Sequence, residues 1–167
     1  MHVEAMAFLA EHATPKAKSV LDVGGRDING SPRSLFPGAD YCALDVVDGP
    51  GVDVVAEIVG WRDRRKFDVV ICAEVLEHAE AWEAVVKSCW RRVAPGGRLL
   101  VTCATEGREP HSAVDGGPLR KGEFYGAVMP DDLTACVVRQ GAKDPLVEFH
   151  PSRGDLYLVA RKDRARG

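Results

Sequence analysis

The sequence predicts an α/β domain in which helices cover a mostly parallel sheet. Three observations carry this: short apolar runs alternate with stretches of helical spacing, the first two runs each end in an acid, and a glycine pair follows the first. Strands separated by helices return across the sheet in the same direction and therefore lie parallel. At 167 residues, with 46% apolar and 28% charged positions, the chain has enough material for one core and reads as a single domain over 1–167.

Val3, Met6, Ala7 and Ala10 recur at helical spacing ahead of Thr14-Pro15, so an amphipathic helix within 1–17 should cover one sheet face before a first strand at about 18–23. Ser31-Pro32 reads as an N-cap and first helical position, but Pro37-Gly38 stops that helix after a turn or two. A second strand at 40–45, the Asp48-Gly49-Pro50-Gly51 turn and a third strand at 52–55 follow. Phe67 to Cys72 is a fourth strand. Trp82, Val85, Val86, Cys89 and Val93 mark one stripe of a helix ended by Pro95-Gly96-Gly97, after which 98–103 forms a fifth strand.

Residues 104–130, rich in Gly, Pro and charge, interrupt this rhythm and are the candidate substrate lid. A helix near 130–140, capped by Asp131 or Asp132 and ended by Gly141, leads into strands at 146–150 and 156–160. Pro151 to Gly154 fits a hairpin turn, which puts one reversed strand in the sheet.

The chemistry concentrates early. Val20-Leu21-Asp22-Val23-Gly24-Gly25 is a buried strand turning tightly enough for bare backbone to approach a ligand. Asp45 closes the next apolar run 23 residues later, where a carboxylate can accept from both hydroxyls of a ribose. An adenosine-containing cofactor is expected.

Other features mainly exclude. A net charge of −3 offers no general attraction to nucleic acid or anionic membrane, and the basic runs at 62–66 and 161–164 read as solvated surface. Five cysteines without a C-x-x-C pair predict neither a structural zinc site nor a disulfide framework, and no metal ligands are expected. No signal-peptide pattern or spanning apolar run is present, so the chain reads as cytoplasmic, a monomer or homodimer.

Taken in order, these parts resemble the class I S-adenosylmethionine-dependent methyltransferases. Leu21-Asp22-Val23-Gly24 matches that family's first motif and Leu44-Asp45 its second. Phe67-Asp68-Val69-Val70 through Glu74-Val75-Leu76-Glu77-His78 matches its fourth-strand signature, and Val93 to Leu99 its approach to strand five. The resemblance implies a Rossmann-like three-layer sandwich whose seven-stranded sheet ends in a reversed hairpin. It also implies that Asp22 and the Gly24-Gly25 backbone face the methionine part of S-adenosylmethionine, Asp45-Val46 the ribose, Ala56 or Glu57 the adenine, and Ala73 and Glu74 the sulfonium. Arg26 and Ile28 stand where many members have further glycines; Arg26 and Asn29 could bind the cofactor carboxylate, or Arg26 could pair with Asp27.

Methyl transfer from a sulfonium chiefly requires alignment, with a general base useful when the acceptor carries a hydroxyl. His78 is the first candidate base and His111, in the lid, the second. Ala73-Glu74-Val75-Leu76 follows strand four where nucleic-acid amino methyltransferases carry an Asp/Asn-Pro-Pro-aromatic motif and base-carbon enzymes a Pro-Cys, so the expected acceptor is a small molecule. Two other classes compete. A nicotinamide-dependent oxidoreductase is disfavoured because Gly24, Gly25 and Gly30 do not form G-x-G-x-x-G, whereas a non-catalytic nucleoside-binding module fits the same residues.

Overall fold

The computed structural model describes residues 2–164; the expected domain's remaining positions, Met1 and 165–167, lie outside the described residues. Seven strands form one sheet: β1 (Ser19–Val23), β2 (Asp40–Asp45), β3 (Val54–Val55), β4 (Phe67–Ala73), β5 (Val93–Ala104), β6 (Leu146–His150) and β7 (Asp155–Arg161). Their spatial order is β3-β2-β1-β4-β5-β7-β6. All pairs from β3 to β5 are parallel, while β7 runs antiparallel to both β5 and β6, which makes it the one reversed strand.

Helix α1 (Val3–His12) packs Phe8 and Leu9 on one face, against Val20, Val69, Ile71, Leu100 and Tyr157. The opposite face is covered by α2 (Trp82–Arg92) and α3 (Pro130–Arg139), through Val85, Val86, Cys89 and Trp90 and through Leu133, Cys136 and Val137. Helices on both faces make the expected Rossmann-like three-layer sandwich. Both faces of β1 and β4 are therefore buried, which explains why these strands read as unbroken apolar runs. All five cysteines are free and buried. Each buried leucine of β5, such as Leu99 or Leu100, contributes about 2 kcal/mol by leaving water.

Chain order reverses at β1: β2 and β3 lie to one side, β4 and β5 to the other. The crevice beyond the carboxyl ends of β1 and β4 is where such sheets bind ligands. Asp68, near the start of β4, accepts from the backbone N–H of Lys18 (2.7 Å) and Ser19 (3.3 Å), while Ser19 Oγ accepts from Asp68 N (3.1 Å). That reciprocal clasp holds the two central strands in register.

Local departures from the sequence reading have physical causes. Strand β5 begins at Val93, not 98, because Pro95-Gly96-Gly97 does not end the pairing but bulges within it between the Phe67–Val93 and Val69–Arg98 pairs. A Cβ at Gly97 would sit 2.7 Å from the Asp68 carbonyl oxygen, so only glycine lets the chain pass. Strand β3 shortens to Val54–Val55 because Asp53, expected within it, turns its carboxylate to accept from Ala43 N (2.8 Å). Met129 occupies the N-cap of α3, not Asp131 or Asp132. Pro130 fixes the first helical position and moves both acids into the first turn, where they face the positive end of the helix dipole.

Candidate active-site cleft

Chain direction and glycine chemistry build the floor of the cleft. Gly24 and Gly25 both donate their N–H to the Leu44 carbonyl (2.8 and 3.1 Å), which ties the loop leaving β1 to the end of β2. Gly24 has φ +77°, and a Cβ there would lie 2.2 Å from Val75 Cγ2. One added methyl at that position meets both backbone strain and a clash.

Asp22 and Asp45 stand on adjacent strands with different surroundings. Asp22 is 2% exposed, and its Oδ2 accepts from Tyr41 Oη at 2.7 Å. Burial pushes its carboxyl up to about 6, against the pull of the Tyr41 hydrogen bond. Such a carboxylate lacks a cation in contact and is suited to receive an ammonium. Asp45 is half-buried; its Oδ2 accepts from Arg26 N (3.3 Å) and its Oδ1 from Val47 N (3.0 Å), a geometry that leaves lone pairs facing the cleft.

Glu74 follows β4 with φ +57°, an unusual backbone state for a residue with a side chain. Its Oε2 accepts from Arg108 Nη2 (2.8 Å) and lies 3.5 Å from His2 Nε2, while Oε1 is buried without a partner. Arg108 also pairs with Asp155, which is 1% exposed and accepts from Arg153 Nε (3.0 Å) and Tyr157 Oη (2.9 Å). Despite the cost of burial, His2 and Arg108 hold the Glu74 carboxyl below its ordinary range. Sequence reading missed this network because Arg108 and Asp155 look like ordinary loop charges and lie 47 residues apart.

Twelve of the thirteen expected site residues line one cleft of about 550 Å³: Asp22, Gly24, Gly25, Arg26, Asn29, Asp45, Val46, Glu57, Ala73, Glu74, His78 and His111. Ala56 instead packs against the core and donates its N–H to the Asp45 carbonyl. Arg26 forms no ion pair with Asp27, which accepts from Gly30 N. Its Nη2 instead donates to the carbonyls of Ala113 and Val114 (both 3.2 Å), across the cleft. These bonds tie the 104–130 loop to the loop leaving β1, and a single bridge joins His111 to Pro118.

At the lid end, the His78, His111 and Tyr125 rings meet edge to face with centroids 5.0–5.3 Å apart. Burial and the neighbouring His111 lower the His78 pKa, which keeps the imidazole neutral near pH 7. Beneath them Glu77 is fully buried; Oε1 accepts from Ala104 N (3.1 Å), and burial raises its carboxyl to about 8. Glu77 Oε2, His78 Nδ1 and Tyr125 Oη are buried without partners. Only a short turn forms over Leu76–His78, and the Glu77 side chain within it is buried.

Comparison with known proteins gives the family and the fold. A family described as "Methyltransferase domain" matches residues 2–123. The chain belongs to that family, as a class I methyltransferase domain. The ubiquinone biosynthesis O-methyltransferase of Pseudomonas putida (strain GB-1) is 32% identical over 109 residues, covering 56% of this chain and 47% of that protein. Its counterpart from Paraburkholderia phytofirmans is 35% identical over 108 residues, at 55% and 47% coverage. The domain therefore spans about half the length of the curated relatives it matches. Among solved structures, the sugar N-methyltransferase KedS8 from Streptoalloteichus sp. superposes with TM-score 0.68 at 16% identity, covering 96% of this chain and 86% of that one. The N-methyltransferase NodS from Bradyrhizobium japonicum, in complex with S-adenosylhomocysteine, gives TM-score 0.66 at 16% identity, covering 95% and 86%. Both comparisons support the class I fold. Among the described residues, no helix is long and apolar enough to cross a membrane.

Proposed function

We propose that this methyltransferase domain binds S-adenosylmethionine in the cleft beyond β1 and β4 and methylates a hydroxyl of a small molecule held under the 104–130 loop. One observation carries the reading: two carboxylates on neighbouring strand ends, with a glycine bend between them, share a cleft with His78 and His111. The cofactor supplies an electrophilic methyl group on a sulfonium.

The residues present fit that group. Asp22, buried and lacking a contacting cation, offers a carboxylate to an ammonium; Asp45 offers acceptors to ribose hydroxyls; Gly24 and Gly25 admit a ligand against bare backbone. A cleft of about 550 Å³ lies within the usual range for small-molecule sites. Glu57 flanks the adenine side and Glu74, whose Oε1 has no partner, the sulfonium side.

His78 and His111 stand where the acceptor would enter, and either can take up a hydroxyl proton or hold the hydroxyl in line. Hydroxyl chemistry draws support from the relatives, each of which is named an O-methyltransferase. The edges of His78, His111 and Tyr125 suit a flat acceptor ring. Buried free thiols suit a reducing, cytoplasmic setting.

Calorimetry with S-adenosylmethionine, S-adenosylhomocysteine and NAD, followed by product detection on a panel of phenols, tests the reading. Binding of the first two but not NAD, together with methylated phenol, is expected. Binding of NAD alone would overturn the cofactor reading, and cofactor binding without product on any acceptor would leave a nucleoside-binding module.

A further inference from the structure

We propose that Glu77, His78 and His111 form a binding site for a divalent transition-metal ion at the lid end of the cleft, and that the bound ion takes the acceptor's aromatic hydroxyl as a ligand. The inference rests on the methyltransferase reading and refines it: His78 and His111 act as ligands, and the ion replaces them in ionising the hydroxyl. Sequence reading expected no metal. Glu77 and His78 are consecutive, but their partner His111 arrives 33 residues later on a loop, so no ligand spacing is visible in the chain.

One ligand atom from each of the three side chains lies within 4.8 Å of the others. Ligand atoms bound at about 2.1 Å stand no more than about 4.2 Å apart, so a small turn of the loop-borne His111 ring completes the set. Their hydrogen bonding matches the arrangement. His111 Nδ1 lies 3.1 Å from the Glu109 carbonyl, which can only accept; the ring proton therefore sits on Nδ1 and the Nε2 lone pair is free to bind an ion.

Two polar atoms of these side chains also lack any other use. Glu77 Oε2 and His78 Nδ1 are buried without a partner, and the Glu77 side chain has no exposed surface. The other Glu77 oxygen is fixed by Ala104 N, so the carboxylate is already oriented. A buried carboxyl oxygen without a partner costs free energy, and an ion that displaces the Glu77 proton to solvent removes that cost.

Two imidazoles and one carboxylate favour Mn2+, Fe2+, Co2+ or Zn2+ over Mg2+ or Ca2+, which prefer all-oxygen ligands. Three protein ligands leave a coordination position open towards the cleft. A phenolic hydroxyl entering it loses its proton to solvent water, giving a metal-bound phenoxide and hydronium, with no redox change. The phenoxide oxygen then has the lone pair that a methyl acceptor needs.

Mn2+ titration followed by electron paramagnetic resonance, on chelator-treated protein and on Glu77→Gln and His111→Ala, tests the site; S-adenosylhomocysteine calorimetry is run on the same samples. One Mn2+ per chain is expected, with affinity falling at least tenfold in each variant, and catechol should alter the visible spectrum of Co2+-loaded protein. His111 is on a surface loop, so His111→Ala keeps the test valid even if Glu77→Gln folds poorly. No bound ion in the parent chain, or equal binding in His111→Ala, would overturn the metal site; an unchanged Co2+ spectrum would overturn the hydroxyl ligand. If S-adenosylhomocysteine fails to bind the parent chain while Mn2+ binds, the cofactor reading falls and the metal site stands.

Discussion

Asp22→Asn should stabilise the free protein at neutral pH while removing its cofactor affinity. The Asp22 carboxyl has an ordinary value of 3.8 and is raised to about 6 by complete burial. Below pH 3.8 it is protonated in both folded and unfolded chains and costs nothing. Between 3.8 and 6 the unfolded chain ionises first, so stability falls as pH rises, and above about 6 the full penalty of about 3 kcal/mol applies. Asparagine avoids the penalty at every pH. Its neutral amide weakens the Tyr41 hydrogen bond, which costs about 1 kcal/mol. The net expectation is a gain of about 2 kcal/mol at pH 7.5, shrinking to a small loss at pH 4. Urea unfolding at both pH values measures this directly, and S-adenosylhomocysteine calorimetry should show at least a tenfold loss of affinity. If Asp22→Asn destabilises the protein equally at both pH values, the carboxylate is not strained and the argument for a waiting ammonium site fails.

Three further outcomes follow from the same geometry. Asp45→Ala removes acceptors for two ribose hydroxyls, at about 1.5 kcal/mol each for charge-assisted bonds, so S-adenosylhomocysteine should bind about a hundredfold more weakly; a change under threefold would remove Asp45 from the ribose site. Gly24→Ala puts a Cβ at φ +77° against Val75, and thermal unfolding should show about 2–3 kcal/mol lost, with cofactor binding abolished; wild-type stability would mean the loop is more pliable than drawn. Arg108→Ala leaves Glu74 and buried Asp155 without their shared cation and should cost about 3 kcal/mol, with faster amide exchange across 106–112; unchanged exchange would show that Arg108 does not anchor the lid.

Most of the fold is legible because periodicity and punctuation agree along the chain. Phe67 to Cys72 can only be a buried strand, and Gly141 after Arg139 stops α3 where expected. The features that escape are those in which side chains act on distant backbone. Asp53 leaves the third strand because it serves Ala43, and the glycine bulge in β5 is held by Lys162, whose carbonyl accepts from Gly96 N and whose N–H donates to the Gly97 carbonyl. The same division applies to the site. Asp22, the glycines and Asp45 are close in sequence and announce themselves through spacing, whereas Glu77, Tyr125 and Arg108 acquire meaning only when β4, β5 and the loop converge. Arg26 illustrates the limit: its charge suggested a partner in the cofactor or in Asp27, yet its guanidinium reaches two carbonyls 87 and 88 residues away.

A crystal structure with S-adenosylhomocysteine is the most direct measurement of the central claim. Both ribose hydroxyls within hydrogen-bond distance of Asp45, the amino group beside Asp22 and the sulfur directed towards His78 and His111 are the predicted result. A nucleoside bound away from the ends of β1 and β2, or seated with its sulfur remote from both histidines, would contradict it.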